Sequence, residues 1–404
     1  MDTVMPEHGL VIPPHVPPEL VRDFNYFAIP PVDGDLHLGW NALHNEPDIF
    51  YTPRNGGHWV FTRAEDIKEA YGNLDFFVST SQNAIPRQQR DIRFSPAEVD
   101  PPELDDVRKL LLPRFRPGVI KVMEAASRDL CVSLIEGMKP QGGCEFVTGF
   151  AQHMPIRIFL TMMDLPREDA ARLLPIAEMQ VRNPDPEAAS ESFAEMAAYL
   201  EEKITARESE LADDLISALI IGQINNEPIN RAEIISICLN LMFAGLDTVV
   251  SAMSFFMRFL GTHPEHRRQL VETPSLIPSA VEELLRYHGV TNLARSAAKD
   301  QTYKGIMMKA GEQILLPTVL FGLDERRFSN PLTIDFIRQD NTHLIFGGGA
   351  HRCPGSHLAR MELRIMLEEW VARIPEFTVC KDGGSITQSG KVNAMKHLPL
   401  RWPV

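Results

Sequence analysis

Between Leu241 and Phe256 apolar residues occupy almost every face of the longest helical period in the chain, which runs from 231 to 261. A helix that is hydrophobic all round belongs inside a large core or a membrane. The run is shorter than the roughly 20 apolar residues that a membrane span needs, and it contains Asp247, so the pattern predicts a buried core helix. The remaining elements are shorter. Residues 36–46 read as helix around Leu38 and Trp40. Ile49–Thr52 and His58–Thr62 are rich in β-formers on either side of Asn55-Gly56-Gly57, which predicts a hairpin. Residues 64–73 return to helix, and 117–215 carry a series of amphipathic helices interrupted at 139–143 and 183–186. A further helix spans 278–286. Strand-like segments follow Arg295, occupy 311–317 and recur across 374–404. The proline-rich residues 1–35 predict an extended arm over the surface. No repeat and no linker of domain-boundary character interrupts this order, which predicts one large, mainly α domain over residues 1–404 with a smaller β-rich region.

Composition narrows the class. The 404 residues are 44% hydrophobic and 23% charged, as in an ordinary soluble globular protein. A formal net charge of −14 argues against a nucleic-acid partner, which would want a basic face. The five cysteines, Cys131, Cys144, Cys238, Cys353 and Cys380, are widely spaced and form no CxxC pair, so neither a disulfide framework nor a zinc site is expected. That usage fits a reducing cytoplasm. The N-terminus has no basic region followed by an apolar one, so neither a signal peptide nor a membrane anchor is expected.

Three stretches carry candidate chemistry. Phe346-Gly347-Gly348-Gly349-Ala350-His351-Arg352-Cys353-Pro354-Gly355 places a cysteine beyond a glycine-rich turn and just before a helical pattern, 356–367. The glycines allow backbone geometry closed to other residues and let a flat ligand approach. A thiolate there gains from helix N–H groups and from cationic His351 or Arg352, and would serve as a metal ligand or a nucleophile. A buried structural cysteine is the bland reading. Within the central helix, Ala244-Gly245-Leu246-Asp247-Thr248 combines a helix-weakening glycine with a threonine able to compete for the i−4 carbonyl. Asp247 is costly in an apolar helix unless paired or functional. Asp100-Pro101-Pro102-Glu103 reads as a helix start with Asp100 as N-cap, followed by Arg108. Residues 78–99 lack any period and suit a binding loop or an exposed connector equally well.

The pattern Phe-x-x-Gly-x-His-x-Cys-x-Gly resembles the haem-thiolate loop of the cytochrome P450 family, and the pentapeptide at 244–248 resembles that family's oxygen-binding groove. The resemblance implies the P450 fold and haem b, with Cys353 as iron ligand, Phe346 shielding the sulfur, and Gly349, Ala244 and Gly245 beside the cofactor. It further implies that Arg108, Arg295 and His351 reach the haem propionates. Thr248 would hydrogen-bond bound dioxygen and Asp247 would relay protons. The histidine that many bacterial members carry four residues before the propionate arginine is Leu104 here. Glu283 and Arg286 match the family's Glu-x-x-Arg; alone they are a routine i, i+3 surface pair, and the usual third, basic partner falls at Thr333, so that network is expected to be altered.

Further matches, among them Asn55-Gly56-Gly57-His58-Trp59 and Gly322-Leu323-Asp324-Glu325-Arg326, resemble the soluble bacterial camphor-hydroxylase subfamily. A camphor hydroxylase anchors its ketone with a tyrosine in the roof loop, whereas residues 78–99 contain none and Ile92 falls at that position. With Phe94, Asn240, Phe243, Thr291 and Val392 as the other expected pocket residues, the resemblance implies a monooxygenase that hydroxylates a small terpenoid or norisoprenoid such as an ionone, using O2, with camphor a poor substrate. The chain has no flavin or iron–sulfur motif, so electrons would come from a [2Fe–2S] ferredoxin and its flavin-dependent reductase, docking at Lys68, Arg108 and Arg360. Asp75, Asp105 and Asp340 suggest a shifted ferredoxin preference. A peroxide-driven peroxygenase and a non-catalytic haem sensor are the alternatives.

Overall fold

The computed structural model describes residues 11–80, 82–87, 93–182, 186–380 and 384–404. The apolar stretch from Leu241 to Phe256 lies within one continuous helix, Arg231–Thr262, about 48 Å long at 1.5 Å per residue. Its first turn is capped by Asn230, whose side chain accepts the Glu233 N–H at 2.9 Å. This is the one helix long and apolar enough to cross a membrane among the described residues, and most of that stretch is buried inside the protein. It touches helices His153–Met162, Pro186–Ser209 and Ser356–Arg373, so much of its all-round hydrophobicity is answered by neighbouring helices.

The expected hairpin forms, Ile49–Thr52 against His58–Phe61. It is the edge of a five-stranded sheet that continues through Gln313–Pro317, Asn292–Ala297 and Phe77–Val78. The turn uses Asn55 at φ +53°, Gly56 at +88° and Gly57 at +80°, and a Cβ on Gly57 would meet the Tyr51 hydroxyl at 2.2 Å. The arm is less superficial than its prolines suggest: Val21 bridges Tyr51, and Val16, Phe24 and Tyr26 are buried.

Two sequence readings are corrected. Asp100 does not cap the helix that begins at Glu103; the cap position is Pro102, without a side-chain bond. The Asp100 carboxylate instead accepts the N–H of Ser79 and Thr80 and the His351 side chain, so it ties the roof loop to the cysteine loop. Glu283 and Arg286 are not a surface pair but wholly buried. Arg286 holds Glu283 through two bonds of 2.8 Å. The third, basic partner is present as Arg338, whose Nε donates to Glu283 at 3.0 Å; Thr333 contributes its backbone carbonyl to both arginines. A buried ion pair of this kind is tolerable because its polar atoms are satisfied.

Candidate active site

The cysteine loop is shaped by short backbone contacts. Cys353 N–H donates to the Phe346 carbonyl at 2.8 Å, Gly347 takes φ +66°, and the helix Ser356–Arg373 starts three residues past the sulfur. Gly349, at φ +61°, serves packing rather than ligand approach: a Cβ there would meet the Tyr71 carbonyl at 2.5 Å, and the residue is not on the cavity wall. Burial pushes the Cys353 thiol above its usual range, opposed by the Gly355 N–H and by Arg108, Arg360 and Arg352. The helix end and nearby cations therefore do not ionise this sulfur unaided; a metal cation would. His351, expected to assist, is turned to Asp100 at 2.9 Å. Burial would raise Asp100, but the bonds from His351, Ser79 and Thr80 overcome it and hold the carboxyl below its ordinary value.

Cys353 opens onto a cavity of about 390 Å³ whose other wall is the central helix, through Ala244, Gly245, Thr248, Val249 and Ala252. A Cβ on Gly245 would meet nothing within 4 Å, so that glycine borders open space. The Thr248 hydroxyl donates to the Ala244 carbonyl at 2.8 Å, leaving its lone pairs for a partner in the cavity. Asp247 is buried and does not line the cavity. Phe346 does, with the Arg360 guanidinium 4.6 Å from its ring centre. Arg108, Arg295 and His351 line one edge. Arg108 donates to the Arg352 carbonyl at 3.0 Å; Arg295 lies 5.1 Å from the Tyr71 ring, donates to its neighbour Ala294, and keeps a buried Nε without a protein partner. A sulfur donor below an apolar space, with cations at one rim and one of them unsatisfied, suits a flat, iron-bearing group with carboxylates along one edge.

The expected substrate residues Phe94, Asn240, Phe243, Thr291 and Val392 all line the same cavity. Ile92 lies outside the described residues. Thr291 bridges Val392 in the chain and bonds Thr318 and the Ile345 carbonyl, so its hydroxyl is engaged. Two further residues were not singled out in the sequence. Phe193 stacks on Phe243, rings 6.1 Å apart, and meets Phe94 edge-on at 5.8 Å. Glu362 lines the cavity, is buried with an unpartnered Oε2, and burial pushes its carboxyl up to about 8. Phe193 leaves no sequence signal; Glu362 is an acid within the otherwise apolar cavity-facing positions Leu358, Ala359 and Leu363.

Of the expected docking residues, Lys68 is exposed, Arg108 belongs to the cavity edge, and Arg360 is held by both Glu282 oxygens at 2.6 and 2.9 Å. Arg360 is therefore no free cation. Asp340 is likewise paired, with Arg327 at 2.6 Å.

A family model described as Cytochrome P450 matches residues 156–273 and 275–390. The chain is 31% identical over 402 residues to a probable cytochrome P450 127A1 of Sinorhizobium fredii, covering 97% of each. It is 32% identical over 330 residues to the mycinamicin IV hydroxylase/epoxidase of Micromonospora griseorubida, covering 78% of this chain and 82% of that one. Among solved structures, CYP101J2 superposes with a TM-score of 0.90 at 35% identity, and CYP101C1 with 0.89 at 32%; each match covers 98% of this chain and 100% of the other.

Proposed function

The chain belongs to the cytochrome P450 family, a haem b monooxygenase, and on that premise we propose that it hydroxylates an unactivated C–H bond of a small terpenoid or norisoprenoid with electrons from a separate [2Fe–2S] ferredoxin. The observation that carries the substrate class is the apolar chamber between Cys353 and the rings of Phe94 and Phe243, which Phe193 backs. Cys353 would be the iron ligand, and Arg108, Arg295 and His351 would hold the propionates. When bound, haem supplies dioxygen activation: RH, O2, two electrons and two protons become ROH and water.

The residues of the chain set the conditions. The phenylalanine roof excludes water and admits an apolar body. The Thr248 hydroxyl donates to the Ala244 carbonyl in its present state, so it must turn away from that bond before it can donate into the cavity; Asp247, adjacent in the same helix, is the proposed source of protons. Replacing Thr248 by Ala removes that hydroxyl while leaving the helix ladder. The expected result is retained NADH consumption with hydrogen peroxide replacing hydroxylated product; unchanged coupling refutes the assignment.

The whole chain is read as one cytoplasmic haem domain. Ferredoxin docking on the cysteine side rests on Lys68 and Arg108 more than on Arg360, whose charge is answered by Glu282. The reduced protein under carbon monoxide tests the thiolate assignment by the red-shifted Soret band, and a terpenoid screen for the substrate-induced spin shift tests the substrate class. Tight camphor binding with full spin conversion would contradict that class.

A further inference from the structure

We infer that Asn240 orients the substrate by hydrogen-bonding a terminal oxygen, so that the preferred ligand carries a carbonyl or hydroxyl at one end and is oxidised at saturated carbons remote from it. The inference rests on the monooxygenase reading above and adds which end of the molecule enters first.

The polar side chains on the substrate side of the cavity are nearly all committed. Thr248 donates to Ala244, and Thr291 to the Ile345 carbonyl with a second contact to Thr318. Lys391 has a partner of its own. Asn83, the other amide on the wall, belongs to the loop tied to the strand that carries Arg295, its backbone carbonyl accepting the Ala294 N–H at 2.9 Å. Asn240 has no protein partner among the described residues and lines the cavity from the central helix. A polar group buried without a partner costs about 1–3 kcal/mol, so a ligand that fills the chamber and covers the half-buried Asn240 does best when it offers the amide an oxygen.

Helical geometry turns this anchor into a ruler. Asn240, Ala244 and Thr248 follow one another at i, i+4 on one face, so the amide lies about 6 Å along the axis from Ala244 and about 12 Å from Thr248. Phe243, three residues on, places its ring in the same part of the wall. Phe193 backs that ring in a stack tilted by 24°, and Phe94 meets it edge-on along the wall. Flat aromatic walls beside a hydrogen-bonding amide suit a conjugated carbonyl, whereas the far end has room beside Gly245 and its hydroxyl, on Thr248, already donates to the Ala244 carbonyl. The oxygen and the oxidised carbon are thus separated by roughly 6–12 Å along the ligand.

The test uses the haem-loaded full chain, β-ionone, and the hydrocarbon analogue lacking its carbonyl oxygen, with Kd read from the substrate-induced spin shift. The wild-type protein is expected to bind the ketone at least about tenfold more tightly than the hydrocarbon. Asn240→Leu should bring the two Kd values together and leave hydrocarbon binding unchanged or tighter. Equal Kd values in the wild type, which need no variant, or a ketone preference that survives Asn240→Leu, would overturn the inference. No spin shift with either ligand, in protein whose carbon monoxide spectrum shows thiolate ligation, would sink both the substrate class and this anchor. Loss of that spectrum itself strikes the haem-thiolate reading.

Discussion

Glu283 and Glu362 are both withdrawn from water, yet their surroundings are opposite. Glu283 accepts two bonds from Arg286, one from Arg338 and the Asp335 N–H. Glu362 has an oxygen with no partner at all and faces the cavity. The first carboxylate belongs to a finished network that fixes how the segment around 331–338 packs on its helix. The second, like Arg295 Nε at the opposite rim and the Asn240 amide, is an unfinished contact. The satisfied carboxylate belongs to scaffold and the unsatisfied polar atoms along the cavity wall to the site, because an orphaned polar atom that faces a cavity is one a ligand or water can complete.

The strongest way to break that contrast is Glu283→Gln. It leaves the buried Arg286 and the half-buried Arg338 without a counter-charge, and removing one partner of a buried pair costs about 3–5 kcal/mol. Denaturant unfolding should show that loss; a change below about 1 kcal/mol would mean the network is not structural. Next is Arg295→Leu. Its guanidinium does little for the protein itself, so unfolding of the haem-free chain should barely move, whereas haem retention should weaken by about 1.5–3 kcal/mol, the value of a hydrogen bond to a charged group. Transfer of haem to an acceptor protein would report it. Equal effects on both would place Arg295 with the scaffold.

Glu362→Gln sharpens the other side. Burial raises this carboxyl from an ordinary value near 4.5 to about 8. Between those values the folded state keeps a proton that the unfolded state has lost, so stability falls as pH rises through that window. Glutamine has no such dependence. The variant should therefore match the wild type near pH 5 and gain on it at about 1.4 kcal/mol per pH unit at most, up to pH 8. Parallel melting curves against pH would show that Glu362 is ionised or paired in the folded protein.

Much of the site was legible because its signals are local. The cysteine loop, the Ala244–Thr248 groove, the hairpin and the central helix each depend on residues within a few positions of one another, and spacing reports such neighbours. Arg338 was missed because it lies 55 residues from Glu283, and a charge at that separation looks like any other surface arginine. Asp100 was misassigned for a related reason: an acid before two prolines has the form of a cap, but three donors from elsewhere, Ser79, Thr80 and His351, claimed it first. Gly349 looked like a place for a flat ligand, and the backbone at Tyr71 occupies that space.

The amino-acid order alone determined that a long apolar helix crosses the core, that a cysteine terminates a glycine turn beside another helix, and that an acid–alcohol pair sits where the central helix is weakened. Those features arise from periodicity and backbone preference, which act over a few residues. Tertiary structure decided which charges are spent and which are open: it paired Arg360 with Glu282, left Arg295 and Glu362 incomplete, and set Phe193 against Phe243. The reason is that desolvation and pairing depend on what the rest of the chain brings within hydrogen-bonding range, and sequence distance carries no information about that.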